Sequence, residues 1–181
     1  MGYFEREGVI MTIVVGYTDG TKVYMAADSQ ASCGWDMQLR KDPKVFIAKG
    51  ILYGFTSSYR MGQILRFHTE PVPQLEAMDT YEYVVGFLVP MWRRALVDHG
   101  YLKVDSGREE SGTFLIGLNG RLFRIESDFQ VGEVDRRYDA IGCGAPYALG
   151  AMYMLNEGEM GDASQLSPYD FMHYAVTSAN A

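Results

Sequence analysis

The chain has 181 residues, a hydrophobic content of 48% and a charged content of 22%, the profile of one soluble globular domain. Its formal net charge of −7 and pI near 4.9, with basic residues grouped only in short pairs such as Arg93-Arg94, argue against a nucleic-acid binder. Two cysteines, Cys33 and Cys143, are too few for a disulfide framework, and no apolar run approaches the ~20 residues of a membrane span, so a cytoplasmic protein is expected.

The N-terminal MGYFEREGVI is polar and lacks the apolar core of a signal peptide. Thr12–Tyr17 and Lys22–Asp28 follow, rich in β-branched and aromatic residues, with Asp19-Gly20 between them as a hairpin turn. Ser29–Pro43 reads as a polar loop. Lys44–Ala48 and Ile51–Ser57 form a second strand pair across Lys49-Gly50. Tyr59–Thr69 has helical spacing, and Glu70–Gln74, with two prolines, stops it. Asp79 and Glu82 mark a helix start that runs to about Asp98, with Pro90 as an expected kink and Gly100 as the C-cap. Tyr101–Glu110 reads as a loop.

Thr113–Leu118 and Arg121–Glu126 meet at Asn119-Gly120, the strongest short hairpin signal. A further strand, Tyr138–Gly142, leads through Cys143-Gly144 into an apolar helix, Ala145–Leu155. Glu157–Ser167 reads as a loop, and Ser167-Pro168 opens a last helix. About seven strands in hairpins, two helices between strand groups and two at the C-terminus predict a layered α+β sandwich with helices on both outer faces.

No Gly-x-Ser-x-Gly elbow occurs. His68, His99 and His173 read as surface or helix-terminus residues, and no His-x-x-x-His pair offers a zinc site. Gly142-Cys143-Gly144 has Tyr147 where a dinucleotide-binding loop needs a third glycine, so a tight strand-to-helix turn accounts for it better. No cofactor or metal is expected. The spacing of Asp28, Asp36 and Asp42 does not by itself require an acid/base pair. On residue type alone, Thr12, Asp28 and Lys44 are a strand threonine, a loop aspartate and a strand-edge lysine.

Taken together, Thr12, Asp28-Ser29-Gln30-Ala31-Ser32 and Lys44-Val45-Phe46 resemble the N-terminal nucleophile (Ntn) hydrolases of the proteasome type, the proteasome β-subunits and HslV-like peptidases. The intervals from Thr12 to Asp28 and to Lys44 match the family without insertion. Gly54-Phe55-Thr56-Ser57-Ser58 and Asp139–Ala148 are similar to two later family segments. The resemblance covers roughly Met11 to Ala181 and implies a four-layer αββα sandwich.

It also implies a threonine-type endopeptidase in which Thr12 is the nucleophile and Asp28, Lys44 and Cys143 support it. A threonine hydroxyl needs a base. In this family that base is the threonine's own α-amine, with an unperturbed pKa of about 7.7–8.0, which the Lys44 ammonium would lower. The backbone at Ser57 and Ser58 would face the oxyanion. Ala31, Ser32 and Thr56–Ser58 would bind substrate, with Ala31 and Thr56 bordering a specificity pocket and Phe46 near it. A peptide or unfolded-protein substrate, a homo-oligomeric ring and an ATPase partner belong to the same implication. A non-catalytic Ntn-fold subunit and a small-amide hydrolase are the alternatives.

The chain departs from the family pattern in three ways. Thr12 is internal, so residues 1–11 are expected to be a propeptide or to reflect a mis-assigned start. Arg6-Glu7-Gly8 can be encoded AGG-GAG-GGN, a purine-rich ribosome-binding sequence just before a Met11 codon, which favours a start at Met11. Cys143 stands where the family has serine. The family's later strands, with a supporting Asp and Ser, have no counterpart, so the single domain 12–181 is expected to be C-terminally shortened.

Overall fold

The computed structural model describes residues 12–33, 36–105, 107–157 and 166–179; residues 1–11 and most of Glu157–Ser167 lie outside it. The three expected hairpins form, all antiparallel. β1 (Val14–Thr18) pairs with β2 (Val23–Ala27) across a turn in which an Asp19 carboxylate oxygen accepts from the Thr21 and Lys22 amides at 2.8 and 2.7 Å. β5 (Val45–Ala48) pairs with β6 (Ile51–Phe55), and β9 (Phe114–Leu118) with β10 (Arg121–Ile125). The turns Lys49-Gly50 and Asn119-Gly120 have positive φ at both positions, the conformation that two-residue hairpins demand.

Two segments expected to be loops are hairpins. β3 (Gln30–Cys33) pairs with β4 (Asp36–Leu39) within 29–43, and β7 (Lys103–Asp105) with β8 (Arg108–Glu110) within 101–110. Each forms a two-stranded sheet of its own, with strands of three or four residues, too short for an alternating pattern to be read in sequence. A three-residue strand, β11 (Val131–Glu133), was not expected; it borders β10. β12 (Tyr138–Ile141) agrees with its sequence reading.

The strands assemble into a three-stranded sheet, β12-β1-β2, and a five-stranded sheet, β11-β10-β9-β6-β5. Their facing sides meet through Val14, Leu115, Leu122 and Ile141. Gly54 is required here: a Cβ on it would lie 2.6 Å from Val14 Cγ1.

On the outer side of the five-stranded sheet lie α1 (Tyr59–Phe67) and one long helix. The latter starts as α2 (Thr80–Tyr83), passes through a π-helical stretch at Val84–Leu88, and continues as α3 (Val89–Asp98). The π-helical stretch ends just before Pro90, which brings no N–H to the helical ladder. Asp79 caps the helix by accepting from the Tyr81 and Glu82 amides, and Gly100 follows its end with φ +66°. This layer buries Tyr53, Ile64, Leu65, Leu88, Trp92 and Phe114, among others, each apolar side chain contributing roughly 1.5–3 kcal/mol. On the other side, α4 (Ala145–Glu157) and α5 (Pro168–Ala179) cover the three-stranded sheet through Ile13, Val15, Ala148, Met152, Phe171 and Ala175. The result is the four-layer αββα sandwich. Among the described residues no helix is long and apolar enough to cross a membrane.

Candidate active site

Thr12 sits just before β1, the central strand of the three-stranded sheet, and is half-buried. Its position is fixed by the backbone on either side. The Thr12 carbonyl accepts from the Gly144 amide at 3.2 Å, and the Cys143 thiol lies 3.7 Å from the same oxygen. The Thr12 nitrogen donates to Cys143 Sγ at 3.1 Å. The next residue, Ile13, is held by Asp28 twice: its amide donates to Asp28 Oδ1 at 2.8 Å, and its carbonyl accepts from the Asp28 amide at 3.3 Å.

Asp28 follows β2 and Lys44 precedes β5, so the two arrive from opposite sheets. Lys44 Nζ donates to both Asp28 oxygens, at 2.9 and 2.7 Å. The lysine side chain is 2% exposed and the aspartate 5%. A buried lysine without a counter-charge would carry a large desolvation penalty. Here one carboxylate neutralises that ammonium and also accepts from the amide beside Thr12. The segments carrying Thr12, Asp28, Lys44 and Cys143, 131 residues apart at the extremes, thus meet at one point.

Gly142 contributes to this site, and sequence reading had treated it only as part of a turn. Its φ is +103°, and a Cβ there would lie 2.2 Å from the Thr12 carbonyl oxygen. Only glycine lets the strand-to-helix turn close over Thr12. The signal was present in Gly142-Cys143-Gly144, but what it makes room for depends on β12 lying beside β1.

The expected substrate-binding residues divide. Thr56 stands close to the turn, its methyl 3.1 Å from a Cβ built on Gly142. Ser57 Oγ accepts from the Thr113 amide at 2.9 Å, and Ser58 caps α1 by accepting from the Arg60 amide at 3.1 Å. No acceptor among the described residues takes the amide hydrogen of Ser57 or Ser58. Both serine hydroxyls are engaged in structure, while among the described residues neither amide has a hydrogen-bond acceptor. Phe46 is buried, stacked on Tyr53 with ring centroids 5.2 Å apart, and lines a cavity of about 130 Å³ with Asp42, Phe55, Tyr59 and Arg66. Arg40 binds Asp42 and lies over the Tyr59 ring at 4.1 Å. Ala31 and Ser32 belong to β3; their side chains lie outside the described residues.

Neither a scan against models of known families nor a search of curated proteins finds a match. Solved structures do match. BPH of Thiobacillus denitrificans is 25% identical, with a TM-score of 0.69 over 93% of this chain and 88% of that one. The same protein in complex with epoxomicin is 24% identical at a TM-score of 0.68, covering 93% and 89%. Eukaryotic HslV from Trypanosoma brucei is 18% identical at 0.58, covering 93% and 90%. The fold of this chain is that of the proteasome/HslV-type Ntn hydrolases.

Proposed function

From this fold, we propose that the chain is a threonine-type endopeptidase whose nucleophile is Thr12 once that residue carries a free α-amine. The observation that carries the reading is the buried Lys44–Asp28 pair tied to the backbone beside Thr12. Stability alone is a poor account of it, because a buried ion pair seldom outperforms apolar residues of similar size.

In the proposed reaction Thr12 Oγ attacks the scissile carbonyl and its proton passes to the α-amine. The Lys44 ammonium lowers the proton affinity of that amine, so more of it is neutral near pH 7. The tetrahedral oxyanion takes up the open amides of Ser57 and Ser58. The α-amine then protonates the leaving nitrogen, an ester remains on Thr12, and water releases it with the amine again acting as base. Cys143, beside the α-nitrogen, holds that amine in line. Assembly into a homo-oligomeric ring belongs to the same proposal.

A neighbouring structure holds epoxomicin, which supplies a probe. Protein beginning at Thr12 should gain the mass of epoxomicin on that residue and cleave a fluorogenic peptide. A chain that begins at Thr12 yet neither binds the inhibitor nor turns over peptide would refute the proposal.

A further inference from the structure

The Cys143 sulfur and the Thr12 nitrogen are two reactive groups held at contact distance. The nitrogen donates to Cys143 Sγ at 3.1 Å. The same two segments are pinned a second time, because the Thr12 carbonyl accepts from the Gly144 amide at 3.2 Å. Atoms held about 3–3.5 Å apart by their surroundings are a near-attack pair. Cys143 is a free and exposed cysteine, so a small oxidant reaches it. The serine that the family carries at this position has no such oxidation chemistry.

We propose that Cys143 is a peroxide-sensitive modification site whose product is a reversible sulfur–nitrogen bond to the α-amine of Thr12. This rests on the reading of Thr12 as an N-terminal residue with a free amine. Hydrogen peroxide oxidises the thiol to a sulfenic acid and is itself reduced to water. The neutral amine donates its lone pair to the electrophilic sulfur. The S–N bond forms, the S–O bond breaks, and hydroxide leaves as water with one amine proton. A sulfenamide remains. The Lys44 ammonium, which keeps the amine neutral for catalysis, keeps it nucleophilic for this step as well. Bound to sulfur, the amine no longer takes the proton of Thr12 Oγ, and turnover stops. Two thiol molecules reverse the step. The first attacks sulfur and frees the amine; the second attacks the mixed disulfide and frees Cys143, and the two leave as a disulfide.

Protein beginning at Thr12 is treated with hydrogen peroxide and read by intact and peptide mass spectrometry. The expected product is lighter by about 2 Da, the two hydrogens lost, with a crosslink between Thr12 and Cys143. Turnover of a fluorogenic peptide should fall with the crosslinked fraction, and dithiothreitol should restore both. The crosslink should persist in Cys33→Ser, which removes a Cys33–Cys143 disulfide of the same mass, and be absent in Cys143→Ser. An unmodified Cys143, products carrying only added oxygen there, or a mass loss that disappears in Cys33→Ser overturns the inference. The mass readout needs no catalysis. A crosslink in protein without turnover therefore upholds the inference and counts against the peptidase reading, and turnover without a crosslink does the reverse.

Discussion

Lys44 and Asp28 reach each other from opposite sheets, and their two hydrogen bonds of 2.9 and 2.7 Å leave the lysine side chain 2% exposed. Each charge offsets part of the burial cost of the other. Lys44→Met leaves the carboxylate in place without its counter-charge and should lower the unfolding free energy by about 3–5 kcal/mol. The double variant Asp28→Asn/Lys44→Met should recover much of that loss in urea melts. If the pair serves the proposed mechanism, both should lose turnover by about 100-fold or more. Recovered stability with recovered turnover would show the pair to be purely architectural.

Cys143 is exposed, and its sulfur lies 3.1 Å from the Thr12 nitrogen. Serine can make the same contact, its oxygen being a better acceptor than sulfur. Cys143→Ser should keep turnover within about tenfold, the range of one net hydrogen bond. Iodoacetamide should block the parent protein and spare the serine variant, read by peptide hydrolysis before and after alkylation.

Gly142→Ala tests the seat of Thr12. The added methyl meets the Thr12 carbonyl oxygen at 2.2 Å with φ at +103°. Strain and displacement together should cost more than about 2 kcal/mol, and epoxomicin labelling of Thr12 should fall with it. Gly150→Ala, where a Cβ meets nothing within 4 Å on α4, is the matched control and should be neutral or slightly stabilising.

Alkaline pH probes the other core. Burial pushes the Tyr53 hydroxyl up to about 12, opposed by the hydrogen bond it accepts from Trp92 Nε1 at 3.1 Å. In the unfolded chain tyrosine ionises near 10. The folded state therefore holds the proton more tightly. This contribution to stability is complete below pH 10 and is lost as pH rises from 10 through 12, by roughly 2–3 kcal/mol in all. Urea midpoints between pH 9 and 12 should fall more steeply in the parent than in Tyr53→Phe. Equal slopes would place that alkaline loss elsewhere.

The three hairpins of the two main sheets were readable because Asp-Gly, Lys-Gly and Asn-Gly each stand between apolar strands, so local turn chemistry and burial pattern agree. β3–β4 and β7–β8 were not, because strands of three or four residues are too short to show a period of two. The π-helical stretch before Pro90 was expected only as a kink, since sequence marks the missing N–H but not the ladder that replaces it. At the site, Thr12, Asp28 and Lys44 stood out through a family resemblance; their residue types alone are unremarkable in strands and loops. The role of Gly142 depends on which elements lie side by side, and that information is tertiary.

The clamps on Thr12 and Ile13 do not involve residues 1–11: Gly144 and Cys143 hold one residue, and Asp28 holds the other through both its amide and its carbonyl. A strand end gripped this way has no slack. Each of these hydrogen bonds keeps its donor and its acceptor when the peptide bond before Thr12 is cut. On the proposed mechanism, the grip on Thr12 is in place before its amine is freed, and switching on is a covalent event at the Thr12 nitrogen.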